Sequence, residues 1–469
     1  MNQGSIGRRA RAALAAAAAA MAVTAGLAAP AWAGPRALYV ANGASAGPGS
    51  LAQFSLGPRG LPAPLSPATV EAGDNPQHIA MTSDGRYAYA TGTGNGVVAA
   101  YGVGPGGALA PLPGPAAPAG LGAHGVVVSP DDRSVYAGNQ DSDDISQFDL
   151  APDGSLVPKD PPTVDSGTGE SGLAMAPSGR ALYVTNLTDG SVGQFAVDPE
   201  SGRLSAKPRS KVRIGVAPSG LAVNPDGRSL YVATLTGSIF QFTILRNGSL
   251  ERKDPAKVRV GLGASGVAIT ASGRYLYTPN TAADSVGQFR IDRRTGRLAP
   301  LRPASVPVGD APGGVAVSPD GRSLYVTLSG EDSYRWLTIG GKGRLTGLDR
   351  APIASATGPH GLLVSPDRSP TARVRVAAVE RRGRVVFDAS GSRDRDGRVA
   401  RYRWRFGDGR RLVTKRPRVA HRYRRPGRFK ATVTVVDAEG CSARRAYTGQ
   451  SALCSGGRST ASRPVRVPA

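Results

Sequence analysis

Past residue 33 the chain never strings together about 18 apolar residues, which excludes a membrane-spanning helix from that stretch. Only two of 469 residues are cysteine and four are histidine. Two thiolates with no histidine nearby would leave half a metal's coordination shell empty, so a disulfide is the better use of them. Aromatic residues make up only 6%. No Gly-x-Ser-x-Gly elbow, phosphate-binding P-loop or metalloprotease helix occurs, so none of those chemistries is announced, and no cofactor is expected. Acidic residues are also scarce, 34 against 58 Lys plus Arg, giving a net charge of +24. What the chain has in quantity is turn formers, Gly 63 and Pro 38, a composition that suits a turn-dense β protein.

Residues 1–33 read as an export signal. Arg8, Arg9 and Arg11 precede an alanine-rich apolar run from 12 to about 29, and Ala31-Trp32-Ala33 forms a small-x-small cleavage site before Gly34. Arg8-Arg9 matches a twin-arginine signal poorly. A secreted, extracellular protein is expected, with a cell-wall association as one possibility. In an oxidising compartment Cys441 pairs with Cys454, closing a loop worth about 3 kcal/mol.

Repetition dominates the next 330 or so residues. The unit starting Gly314-Val-Ala-Val-Ser-Pro-Asp-Gly-Arg-Ser-Leu-Tyr has relatives throughout, with its tyrosine at Tyr39, Tyr89, Tyr136, Tyr183, Tyr231, Tyr277 and Tyr325. An aromatic of the following strand recurs every 47 residues, at Phe54, Tyr101, Phe148, Phe195, Phe242, Phe289 and Trp336. Short alternating runs between Pro-Asp-Gly, Asn-Gly and Ser-Gly turns make a strand meander, and a period in the forties makes a propeller blade. The last unit, at Gly361, has an inner strand with no Leu-Tyr-Val strand after it, which the segment from Ala37 supplies. The fold class is therefore all-β: a seven-bladed β-propeller over 34–369, closed by N- and C-terminal strands in one blade, plus a C-terminal β-sandwich over 370–469. Tyr183-Val184-Thr185-Asn186 is the tetrapeptide of the YVTN propeller repeats. The region 37–368 resembles the seven-bladed lactonase family, which includes 6-phosphogluconolactonases and a carboxymuconate-cyclising branch.

The C-terminal hundred residues carry Asp394-Arg395-Asp396-Gly397, Trp404-Arg405-Phe406-Gly407-Asp408-Gly409 and His421-Arg422-Tyr423, and resemble a PKD domain. Arg405 replaces the family's usual first aspartate. Asp394 and Asp396 form an Asp-Gly turn or, alternatively, ligate calcium. This stretch holds 26 Lys plus Arg against 7 Asp plus Glu, most of the chain's excess charge. On a strand, Tyr402, Trp404 and Phe406 share the core face, leaving Arg401, Arg403 and Arg405 as an anion-binding stripe in solvent. Such a stripe suits a cell-envelope polysaccharide or anionic wall polymer; arginine simply written on exposed positions is the plain alternative. A protein partner is also possible. Specific nucleic-acid binding is not expected, because the aromatics point inward.

Candidate ligand groups cluster at one mouth of the propeller. Five residues before each Ser-Pro-Asp-Gly serine stand His78, His124, Ser171, Ser219, Ser265, Gly313 and His360, so three histidines fall on consecutive blades. Three residues after the repeat tyrosine stand Asn42, Asn139, Asn186 and Asn280. The histidines either bind or catalyse near neutral pH, hold a metal, or cap loop carbonyls; no metal is assigned, and His421 is structural. The lactonase resemblance implies a pore histidine with a partnered Arg and Glu. His124 fits, but Ser171 stands where the arginine is wanted and Leu187 or Thr188 where the glutamate is; Glu170 lies close by as a substitute, in a strand phase pointing away from Ser171. The expectation is thus a secreted, non-enzymatic binding or scaffold protein, with the propeller funnel taking a small ligand or protein and the basic sandwich attaching to anionic cell-surface polymer. The alternative is an exported lactonase, 6-phosphogluconolactonase-like or muconate-cyclising-like, centred on His124.

Overall fold

The computed structural model describes residues 36–468 apart from 44–47, 58–59, 216, 396, 439–440, 442–445, 451 and 457–458. The leader, Gly34 and Asp396 lie outside the described residues. Seven antiparallel sheets follow one another, each led by an inner strand: Pro76–Met81, Ala123–Val128, Glu170–Met175, Pro218–Val223, Ala268–Ile269, Pro312–Val317 and Pro359–Val364. The last belongs to the blade of Ala37–Asn42, with Leu38 opposite Val364 and Tyr39 opposite Leu363. Both ends of the propeller thus share one blade, here the closing blade; the others are blades two to seven. Velcro-like closure of this kind leaves no open seam in the ring.

Each blade alone would expose two apolar faces, so the blades are stitched to their neighbours. The repeat tyrosines are buried, and each hydroxyl donates to a glycine carbonyl of the next blade's outer turn. Tyr39 reaches Gly107, Tyr183 reaches Gly248, and Tyr325 closes the circle on Gly60. A second stitch comes from the glutamine beside the repeat aromatic: Gln147, Gln194, Gln241 and Gln288 accept from the backbone of Leu204, Leu250, Leu298 and Leu345. The regular 47-residue series misplaces one member. In blade seven Tyr325 faces Trp336 and Leu324 faces Leu337, so Leu337 takes the aromatic position and Trp336 that of the glutamine. Its indole N–H donates to Ser323 Oγ, and the Arg350 guanidinium lies over its ring at 4.1 Å.

The C-terminal domain packs a three-stranded sheet (Arg375–Val379, Arg384–Asp388, Arg418–Arg422) against a four-stranded one (Val399–Arg405, Arg411–Thr414, Gly427–Asp437, Thr460–Val467). Phe387, Trp404, Phe406, Tyr423, Val433 and Val465 form its core. His421 stacks on Phe406 at 3.9 Å and bonds Asp408, a structural post between the sheets. Cys441 and Cys454 are joined in a disulfide. Beside them Asp367–Arg368, Ala452–Ser455 and Ala446–Tyr447 make a third small sheet, which rests on the propeller. No helix among the described residues is long and apolar enough to cross a membrane.

Candidate functional site

Where the inner strands begin, each blade leans on the next. Ser171 donates to the Pro218 carbonyl, Ser219 to Ser265 and Ser265 to Gly313. The threonine opposite does the same from the second strand: Thr91 to His124, Thr185 to Ser219, Thr327 to His360. One position further along, six blades have glycine: Gly125, Gly172, Gly220, Gly266, Gly314 and Gly361. The reason is steric. A Cβ on Gly314 would lie 2.0 Å from the His360 carbonyl oxygen, and one on Gly361 2.4 Å from that of Gln77.

Against this frame the departures stand out. Strand register puts Ile79 opposite Ala90 and Val126 opposite Ala137. Hence Gln77, not His78, matches His124 and Ser171, and His78 stands at the glycine position. The sequence alignment slipped by one because Thr82 and Ser83 are both hydroxyl residues, and Thr82 makes the turn bond to Asp84 that Ser129 makes to Asp131. His78 therefore pushes an imidazole into the seam between blades two and three. Its ring meets His124 edge-on at 4.8 Å and its Nδ1 lies 3.2 Å from the His124 carbonyl. A carbonyl only accepts, so His78 carries its proton on Nδ1, leaving a lone pair on Nε2.

The next seam holds the other departures. Glu170 occupies a position that is proline or alanine in the other blades, and Gly138 stands where three blades have the bridging threonine. The two are complementary: a Cβ on Gly138 would lie 2.2 Å from Glu170 Cδ. The Glu170 carboxyl is wholly buried beside Gly125 and Gly172, and neither oxygen has a well-formed hydrogen bond. Burial pushes its pKa up to about 8. The neighbouring imidazoles move the other way. Burial, opposed at His78 by its bond to the His124 carbonyl, lowers His78 to about 4; burial, then the charges of His78 and His360, lowers His124 to about 3. Burial lowers His360 as well. Near neutrality this sector is three neutral imidazoles and a protonated carboxylic acid. His124 Nδ1 is buried without a partner.

The structure thus brings His78, His124 and His360 within electrostatic reach of one another. Asn42, Asn139, Asn186 and Asn280, expected on the rim, instead turn into their blades and are buried. Asn139 holds Asp144 and Ser146, Asn186 holds Ser166 and Ser191, and Asn280 holds Ser285. Glu170 and Gly138 were missed as a pair, although both break the repeat. The loops framing the mouth carry Asp141, Asp143, Asp189, Asp284, Asp310 and Asp332, and no Lys or Arg among their described residues. The turns at the opposite end carry Arg86, Arg133, Arg180, Arg228, Arg274 and Arg322. A cleft of about 1160 Å³ lies at that opposite end, between Asn224, Thr270, Trp336 and the Cys441–Cys454 bridge, away from the histidines. Arg401, Arg403 and Arg405 are exposed on the sandwich, and Arg405 pairs across with Arg411. One group of three possible metal ligands occurs among the described residues, Asp367, Asp437 and Cys441, and its sulfur is in the disulfide.

The family description "Lactonase, 7-bladed beta-propeller" matches residues 15–312, and "PKD domain" matches 367–449. A solved putative 6-phosphogluconolactonase from Bacteroides uniformis is 21% identical, covering 70% of this chain and 99% of its own, with TM-score 0.60. A periplasmic gluconolactonase of Pseudomonas aeruginosa is 20% identical over the same shares, with TM-score 0.58. At these identities the likeness shows the fold. A collagenase of Bacillus cereus is 31% identical over 94 residues, 20% of this chain and 8% of the collagenase. The match to a lactonase family over most of the chain overturns the expectation of a non-enzymatic binding or scaffold protein. That expectation leaned on the two-domain layout, the charge split and an Arg and Glu set that looked incomplete.

Proposed function

Because the chain belongs to the seven-bladed lactonase family, with a PKD domain appended, we propose that it is an exported lactonase whose site is the His78–His124–Glu170 sector. One observation carries this reading: the single replacement of the crowded glycine, His78, and the single acid at the proline or alanine position, Glu170, fall in blades two and four, on either side of His124. A wedge of histidine where glycine is required, and a buried acid in a gap opened for it, are costly unless used. Hydrolysis adds water across the ester: a hydroxyl bonds to the carbonyl carbon, the ring C–O bond breaks, and the released alkoxide takes a proton. The neutral imidazoles align and polarise water, while Glu170, with a pKa near working pH, exchanges the proton. The mouth's loops carry carboxylates and, among their described residues, no Lys or Arg, with Lys211 of an adjoining strand paired to Asp189; this balance favours an uncharged sugar lactone over a phosphorylated or carboxylated one. The test is hydrolysis of an uncharged aldonolactone, a phosphorylated sugar lactone and a muconolactone. Turnover of the first that is lost in both His124→Ala and Glu170→Gln is expected. Turnover equal in all three proteins refutes the site, and preference for the phosphorylated lactone refutes the substrate class.

The exposed arginine face of the sandwich supports a second element of the reading, attachment to anionic envelope polymer. The leader and the disulfide are consistent with an extracellular setting.

A further inference from the structure

The inner strand of each blade pairs on one side only, so its other edge presents backbone groups to the axis that need partners. At the end opposite the histidines these partners come from the C-terminal domain. The Met175 amide of blade four donates to the Gly449 carbonyl at 2.7 Å, and the Val223 amide of blade five to the Thr448 carbonyl at 3.0 Å. Tyr447 is buried, packs with Leu173 and Met175, and donates its hydroxyl to the Val128 carbonyl of blade three at 2.7 Å. Ala271 of blade six packs on the group around the disulfide. The turn seats this deeply only because residue 449 is glycine. Its φ is +110°, and a Cβ there would lie 2.8 Å from that of Ala174.

We propose that this disulfide-closed hairpin is the floor of the propeller's channel. It covers blades three to six at the end away from the histidines, so substrate enters and leaves by the histidine mouth. It also positions Glu170, a clause that rests on the hydrolase reading above, whereas the cover does not. Glu170 and Met175 are the two ends of one six-residue strand. With Met175 tied to Gly449, that strand is anchored at its far end and its first residue stays in the gap left by Gly138. The Cys441–Cys454 bridge ties the two ends of the hairpin together and so holds the floor in place.

The test is amide hydrogen exchange on the oxidised full-length protein. In Gly449→Val, exchange at Met175 and Val223 should rise about tenfold or more, the loss of one backbone hydrogen bond each, while the strand of Tyr277 is unchanged. The pair Cys441→Ser with Cys454→Ser should do the same without touching the propeller. If either fails to fold, Tyr447→Phe keeps the ring and removes one bond, and gives a smaller rise at the same two amides. Unchanged exchange at both amides in the folded variants overturns the floor. On lactone, Gly449→Val should lower kcat and displace the Glu170 limb of the pH profile with KM little changed; an unmoved profile overturns the positioning clause. A wild-type protein without lactonase activity refutes the hydrolase reading, and the exchange result still decides the floor.

Discussion

Replacing Glu170 by glutamine tests the buried acid without reference to any substrate. In the unfolded chain the carboxyl ionises near its ordinary 4.5, and in the folded protein at about 8. Between those values the unfolded state holds fewer protons, so Glu170 makes the fold less stable as pH rises and its effect levels off above about 8. The span is worth about 5 kcal/mol at most at 1.36 kcal/mol per pH unit. Water penetration and relaxation reduce it, and about 1–3 kcal/mol is the reasonable expectation. The histidines act oppositely: their folded pKa values lie below the ordinary 6.5, so they cost stability as pH falls below that value. From these groups alone, stability peaks near pH 6.5. Glutamine matches the protonated acid in shape and charge, so Glu170→Gln should melt with wild type at pH 5 and roughly 3–6 °C higher at pH 9. Calorimetry across that range decides it. Melting curves that stay parallel from pH 5 to 9 would mean Glu170 is hydrated or paired in solution, and the acid–base role would go with them.

Restoring the repeat in the second seam should separate fold from function. Gly138→Thr alone collides with Glu170 and should lower melting temperature, whereas Gly138→Thr with Glu170→Ala should recover it and leave no lactonase activity; activity in the double variant would sink the site. Tyr231→Phe removes the buried bond from its hydroxyl to the Gly296 carbonyl and should cost about 1–2 kcal/mol in denaturant unfolding with kcat unchanged.

The propeller was legible because its demands are local and repeated seven times. A tyrosine that must reach the next blade and a turn that must reverse the chain recur at fixed spacing, and the missing last strand announced the closure. The errors came where spacing stood in for register. Trp336 kept the 47-residue period but occupies the glutamine position, since blade seven's register sets Leu337 at the aromatic one. His78 was aligned one residue off for want of the strand pairing. Glu170 was set aside as a substitute because its phase was judged against Ser171 in its own strand, whereas its neighbours are Gly125 and Gly138 of the preceding blade. The hairpin on the channel floor had no local signal, as Tyr447 and Val128 lie 319 residues apart.

The same contact fixes how charge is distributed along the propeller axis. The C-terminal domain sits on the end where Arg86, Arg133, Arg180, Arg228, Arg274 and Arg322 share the inner turns with Asp84, Asp131, Asp132, Asp226 and Asp320, so the excess of positive charge at that end is the sandwich's own. On the sandwich, successive outward arginines of one strand stand about 6.7 Å apart, a spacing that suits a chain bearing one charge per repeat. If the face attaches the protein, Arg401→Gln, Arg403→Gln and Arg405→Gln together should weaken retention on isolated cell envelopes and flatten its decline with salt, with lactone hydrolysis unchanged. Retention and salt response equal to wild type would mean that these arginines only solvate the sheet.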